Sequence, residues 1–287
     1  MTKKYKVKIY FRSLFVLLSI FCAAAPAVAA DFDLEQVKTL RLHGELETAQ
    51  LLLAAEIDAA YVSPDQRIQQ HLEMARILDR IGLHQNTRPV VEALAHIELA
   101  AELLDSASEF SKASVELAYA IYYYRAEMRG HEFAKAEEYG RRANMLYAAI
   151  GDGHGQADAV HLLGLIKFYR QKLDLAEALF EESLRLDISA GERTFFRGEY
   201  ERHVGFVAYQ RRDIEGAVRH FERSLEARLE AGAIDASMFA AISLASALIE
   251  LDRPEEAKSH LDYALAIAQR IGSPVGMKRI DKAIERF

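Results

Sequence analysis

Tryptophan is absent from this chain of 287 residues, cysteine occurs once and proline five times. Each shortage excludes something. The one cysteine, Cys22, lies in an apolar stretch near the N-terminus. The body of the chain therefore has no disulfide, no thiol nucleophile and no cysteine-ligated metal. Runs that alternate apolar and polar residues are missing, and with them the signal for β-strands. No Gly-x-Ser-x-Gly elbow is present, which removes the α/β-hydrolase nucleophile. Positive charge is also short, with 36 Lys and Arg against 43 Asp and Glu for a net −7. An acidic balance argues against nucleic acid and anionic lipid as partners, since both need basic patches.

The only long apolar run sits at the start. Lys3, Lys4, Lys6, Lys8 and Arg12 precede an apolar stretch from Leu14 to Ala25, and Ala27-Val28-Ala29-Ala30 follow it. Residues 1–30 thus read as a secretory signal peptide cleaved after Ala29 or Ala30. The alternative is an uncleaved inner-membrane anchor over residues 13–30, which approach the roughly 20 residues needed to cross a bilayer. Cleavage would remove five basic residues and no acidic one, taking the net charge from −7 to −12. The expected location is the periplasm or the exterior.

What is abundant is helical periodicity with a fixed repeat. Ala136, Ala176, Ala217 and Ala257 fall at intervals of 40, 41 and 40. Around them recur Leu163-Gly164, Val204-Gly205 and Leu244-Ala245 on a first helix, and Phe180, Phe221 and Leu261 on a second. A period in this range marks a solenoid of helix pairs that bury their faces only against neighbours. Ser63-Pro64, Arg253-Pro254 and Ser273-Pro274 place proline at first helical positions. Gly44, Gly82, Gly130, Gly191, Gly232 and Gly272 are read as helix ends or turns. The spacing predicts helix pairs over 34–61, 65–104, 108–150, 156–189, 192–231 and 234–271, with a closing helix at 275–286.

These residues resemble the tetratricopeptide repeat in a variant of about 40 residues, most closely over 156–271 and only in degenerate form over 31–104. The resemblance implies an all-α, right-handed superhelical solenoid of about six antiparallel pairs, divided into residues 31–104 and 108–271, with a capping helix at 275–286. Tyr124 stands where the later repeats have Gly164 and Gly205, so the 108–150 pair is expected to pack more openly or to rotate. In the closing helix, Ile280 and Ile284 are expected to face the last pair while Arg279, Lys282 and Arg286 face water.

Sites for chemistry are sparse. His131-Glu132 would open a zinc-protease motif, but Lys135 stands where its second histidine belongs. His154 and His161 lack a carboxylate at ligand spacing. Gly151-Asp152-Gly153-His154-Gly155 has no preceding strand and no following Lys-Ser or Lys-Thr, so it reads as a turn and not as a phosphate loop. Carboxylates lie beside Lys and Arg on helix surfaces, as in Glu177, Glu181 and Arg185. No enzyme activity, cofactor or metal is expected.

The resemblance implies that the first helices line a concave surface. Carried over position by position, it points to Ile121, Arg125, Met128 and Arg129; His161, Leu165, Phe168 and Tyr169; Arg202, Phe206, Tyr209 and Gln210; and Ile242, Ser246, Ile249 and Glu250. Arg125, Arg129, His161, Phe168, Tyr169, Arg202, Phe206 and Tyr209 are the groove candidates, because arginine and aromatic side chains dominate interface hot spots. Three arginines on one lining suit a partner carrying carboxylates. The expected function is a non-catalytic scaffold for a protein or peptide. The alternative is a sensor ectodomain of a membrane-anchored signalling system. Self-association through the terminal helix stays open.

Overall fold

Apolar residues recurring three and four apart can be buried together only on a helix, and the computed structural model is helical throughout its described residues, 33–286 apart from 60, 61, 129 and 131. The signal-peptide reading and Arg129 lie outside the described residues. Thirteen α-helices follow one another: α1 (Leu34–Leu42), α2 (Leu46–Ala59), α3 (Pro64–Gln85), α4 (Val91–Ala101), α5 (Glu109–Glu127), α6 (Ala134–Ile150), α7 (Gly153–Tyr169), α8 (Leu173–Gly191), α9 (Thr194–Gln210), α10 (Ile214–Glu230), α11 (Ile234–Glu250), α12 (Pro254–Arg270) and α13 (Pro274–Ile284). They make six antiparallel pairs and a last helix, the all-α solenoid expected. Among the described residues, no helix is long and apolar enough to cross a membrane.

Local chemistry sets the boundaries. Ser63 and Gln66 form a reciprocal capping box at the start of α3, which satisfies two backbone donors that the first turn leaves free. Asp152 accepts from the backbone N–H groups of His154 and Gly155. The glycine-rich stretch is therefore a turn and an N-cap. Gly82 is not a helix end: α3 runs through it to Gln85. A Cβ at Gly82 would lie 2.3 Å from Val90 Cγ2, so this glycine admits the chain returning into α4.

Small residues let the two helices of a pair approach. Ala136, Ala176, Ala217 and Ala257 are completely buried. A Cβ on Gly164 would meet the Phe180 ring at 2.7 Å, and one on Gly205 would meet Phe221 at 2.7 Å. Phe180 also packs with Val204 and Val207 of the following pair. One ring thus seals both its own pair and the next junction.

The α5/α6 pair reverses the pattern. Its first helix carries the ring, Tyr124, buried and stacked on Phe133 with centroids 5.7 Å apart. Its second helix carries Gly140 at the place of Phe180 and Phe221, four residues after the buried alanine. A Cβ on Gly140 would lie 3.2 Å from Leu163 Cδ2, so Leu163 of the next pair fills the space a ring occupies elsewhere. The pair is therefore as closely packed as the later ones, and the expected opening does not occur.

The array closes on itself. The first helices α3, α5, α7, α9 and α11 succeed one another along the inner side, and α13 continues the series until it touches α3. Arg80 on α3 makes a two-pronged ion pair with Asp235 on α11, with Nη2 2.8 Å from Oδ1 and Nε on Oδ2. His84 sits beside it, 3.0 Å from Ser273 Oγ and 3.3 Å from Asp235 Oδ2. The carboxylate can only accept, so His84 Nε2 donates to Asp235, while Nδ1 shares a hydrogen bond with the Ser273 hydroxyl. Ser273 Oγ meanwhile accepts from the Gly276 N–H. Asp235, His84 and Ser273 are all buried. Burial alone would raise the Asp235 pKa, but the Arg80 charge and the hydrogen bonds from Arg80 and His84 outweigh it and hold the carboxyl below its ordinary range. At the outer margin Gly44 lies against Ile271, and Gly232 against His43.

A candidate binding pocket on the inner face

Inside this closed series, α7, α9, α11 and α13 border an open pocket of about 850 Å³. Phe168, Tyr169, Phe206 and Tyr209 line one side, Ile242, Ser243 and Ser246 another, and Arg202, Arg279, Lys282 and Arg286 supply charge. A volume of this order holds a short peptide segment. A second hollow, about 800 Å³, lies at the closure between the α1–α2 turn, the end of α3 and the α12–α13 turn.

Five of the eight groove candidates meet in the first pocket: Phe168, Tyr169, Arg202, Phe206 and Tyr209. Their arrangement is fixed by ring contacts. Phe168 lies 6.4 Å from Phe206, and Phe206 meets the buried Phe221 edge-on at 5.1 Å. The Tyr209 hydroxyl donates to Glu250, which Arg286 also holds at 2.7 Å.

The other three are placed differently. Arg125 lies further round the inner side, half-buried, with its guanidinium 4.9 Å from the Tyr124 ring. It borders a separate small cavity with Asp79, Pro89 and Tyr122. His161 is buried beneath the surface, with Nε2 2.8 Å from His203 Nδ1 and its ring against Phe180 and Phe196. Burial drives the His161 pKa down to about 4 and puts His203 well below its ordinary value, so both rings are neutral near pH 7. Arg129 is outside the described residues.

Behind the pocket lies a buried polar chain. Arg228, 2% exposed, donates to the Ala236 carbonyl at 2.8 Å and to Glu199 at 2.7 Å. Glu199 is in turn 4.0 Å from His203. Burial works against the Glu199 charge, but Arg228, His203 and Arg202 outweigh it and keep the carboxyl well below its usual range. The chain runs toward the Arg80–Asp235 pair, whose charges also reach Arg228.

Arg202 joins this chain through His203, whose Nε2 lies 3.4 Å from its Nη1. Its guanidinium lies 4.7 Å from the Phe206 ring, and its buried Nε has no hydrogen-bond acceptor in the protein. Burial, with the like charge of Arg228, pulls its pKa down to about 10. Arg279, Lys282 and Arg286 are exposed to water as expected, but sequence reasoning missed that they border the pocket. The signal was available: α13 continues the first-helix series, so one of its polar edges had to meet the inner side. Among the described residues, no group of three or more His, Cys, Asp or Glu side chains is placed to hold a metal ion.

No family model matches this sequence. No curated protein matches it either. Solved structures do resemble it. A Rap conjugation gene regulator of plasmid pLS20, in complex with the Phr* peptide, shares 13% identity at a TM-score of 0.62, covering 85% of this chain and 78% of its own. A Rap protein complexed with competence and sporulation factor shares 14% at 0.59, covering 86% and 78%. The signal-transduction ATPase with a tetratricopeptide repeat sensor from Pyrococcus horikoshii shares 18% at 0.60, covering 88% of this chain and 36% of that larger protein. At such identities the likeness is one of fold: a tetratricopeptide-repeat solenoid.

Proposed function

We propose that this chain is an exported, non-catalytic scaffold that takes a segment of a protein or peptide partner into its inner pocket. The observation that carries this reading is the convergence of Phe168, Tyr169, Arg202, Phe206 and Tyr209 on one cavity of peptide size. Aromatic walls bury much area with little loss of side-chain freedom. Their contacts with Phe221 and Glu250 hold them in place before a ligand arrives, which lowers the ordering cost of binding. The similar Rap structure that holds the Phr* peptide supports the same mode.

A photo-crosslinking amino acid at position 209, introduced in the native host, should join this chain to its partner. The same group at Met145, 68% exposed on α6, should not. Crosslinks from position 145 but none from 209 would overturn the reading. Export is tested separately by mass spectrometry, which should find a mature chain starting at Ala30 or Asp31.

The sensor reading is favoured by one feature. Helix α13 both lines the pocket and touches α3, so occupancy can bear on the closure of the array. A full-length chain that stays with the inner membrane would select this alternative.

A further inference from the structure

The pocket's charge is opposite to that of the chain as a whole. The sequence carries a net −7, yet the pocket lining has Arg202, Arg279, Lys282 and Arg286 against one carboxylate residue, Glu285, and among the described residues no carboxylate oxygen lies within 4.0 Å of Arg202, Arg279 or Lys282. Nearby cations are matched, as Arg228 is by Glu199 and Arg286 by Glu250. The shortage of anions is therefore local.

Two of these cations belong to different repeats, and each lies against an aromatic ring. Arg202 on α9 rests on Phe206 at 4.7 Å, and Arg279 on α13 rests on Phe239 at 5.0 Å. Each guanidinium lies against a ring; Arg202 Nη1 also reaches His203 Nε2 at 3.4 Å, which leaves its Nη2 and the Arg279 edge for a ligand. The Arg202 Nε is buried without an acceptor in the protein, as are those of Arg125 and Arg228. The two charges are also close enough to feel each other, since Arg279 adds to the downward pull on the Arg202 pKa after burial and Arg228. Two like charges lining one open cavity are relieved by an anion between them. A planar carboxylate has two oxygens, so two guanidinium edges on one cavity can each donate to one of them.

Resting on the peptide-binding reading above, we propose that Arg202 and Arg279 jointly receive a carboxylate of the bound segment, with Phe168 and Tyr209 taking the apolar side chain next to it. The carboxylate is either the segment's C-terminus or an Asp or Glu side chain. Helix α13 is thereby part of the binding site and not only a cap.

The test uses the full mature chain and a soluble library of random 12-residue peptides with free C-termini, selected by affinity and identified by mass spectrometry. The tightest binder is then made as the free acid, as the C-terminal amide, and with each Asp or Glu changed to Asn or Gln. Dissociation constants are measured for the wild type, Arg202→Gln and Arg279→Gln, with circular dichroism to verify folding. Position 279 is on an exposed face of α13, so Arg279→Gln keeps the test valid if Arg202→Gln fails to fold. One carboxylate-removing change should weaken binding to the wild type by about 10- to 100-fold, as expected for a charged hydrogen-bonded pair. The same change should alter binding to Arg279→Gln by no more than about 3-fold. Sensitivity to the amide identifies a C-terminal carboxylate, and sensitivity to Asn or Gln a side chain. Binders indifferent to every carboxylate change, or an undiminished effect in Arg279→Gln, would overturn the proposal while leaving peptide binding intact. A library that yields no binder overturns peptide binding itself, and this proposal with it.

Discussion

Replacing Asp235 with alanine should loosen a helix 155 residues earlier in the chain. In an open solenoid each unit touches only its neighbours, so damage at α11 would spread to α9, α10 and α12 and stop there. Here the Asp235 carboxylate, 1% exposed, is the acceptor for both Arg80 and His84 of α3. Removing one partner of a buried pair costs about 3–5 kcal/mol because the other charge is left stranded. The Arg80 side chain retains 23% exposure, so water recovers part of that cost and about 3 kcal/mol is the better expectation. For a chain of this size that corresponds to a fall in Tm of about 6–12 °C. Urea unfolding gives the energy, and amide hydrogen exchange gives its location. Exchange should quicken in peptides from 64–85 as well as from 234–250, while Asp235→Asn, which keeps one acceptor oxygen, should do less. Unchanged exchange over 64–85 in the alanine variant would refute the closure. The pair holds the Asp235 pKa down, so its contribution is present above the ordinary aspartate pKa of about 4 and is lost as the pH falls below that.

Two further outcomes follow from the packing. His161 titrates near 4 when folded against an ordinary value of about 6.5, so the unfolded chain takes up its proton first. Stability from this group is complete above about pH 6.5 and declines toward pH 4, by about 2 kcal/mol at pH 5. A Tm that is the same at pH 5 and pH 7.5, or a decline equally steep in His161→Gln, would contradict this. Gly205→Ala should destabilise by about 1–3 kcal/mol through collision with Phe221, and Phe221→Leu should relieve part of that cost in the double variant. Additive effects in urea unfolding would show that the two side chains do not meet.

The solenoid was legible because burial repeats along the chain. Ala136, Ala176, Ala217 and Ala257 announce where helices touch, and Gly164 and Gly205 announce where rings must fit. The inner row was legible in part, since Phe168, Tyr169, Arg202, Phe206 and Tyr209 share a register relative to those glycines. His161 shares that register too, yet it is buried because a second histidine, His203, meets it from the next pair. Gly82 was misread because a glycine that admits Val90 looks in sequence like one that ends a helix. The closure was not legible at all. Arg80 and Asp235 lie on helices of different repeats, and nothing periodic links one arginine to one distant aspartate among so many charges. Once the series closes, α13 has an inner edge, and Arg279 follows from that.

The reversed pair, Tyr124 with Gly140, has a consequence for how the units can be ordered. At the α8/α9 junction a ring on the outgoing helix meets a β-branched neighbour on the incoming one, Phe180 with Val204. The junction after α6 instead accepts Leu163 into the space above Gly140. A hairpin transplanted into that slot with a phenylalanine at its fourth position would collide with Leu163, and the α5/α6 hairpin moved elsewhere would leave a void. The repeats look interchangeable by their spacing, yet this one is keyed to its slot, and recombination among them would have to carry Leu163 along with it.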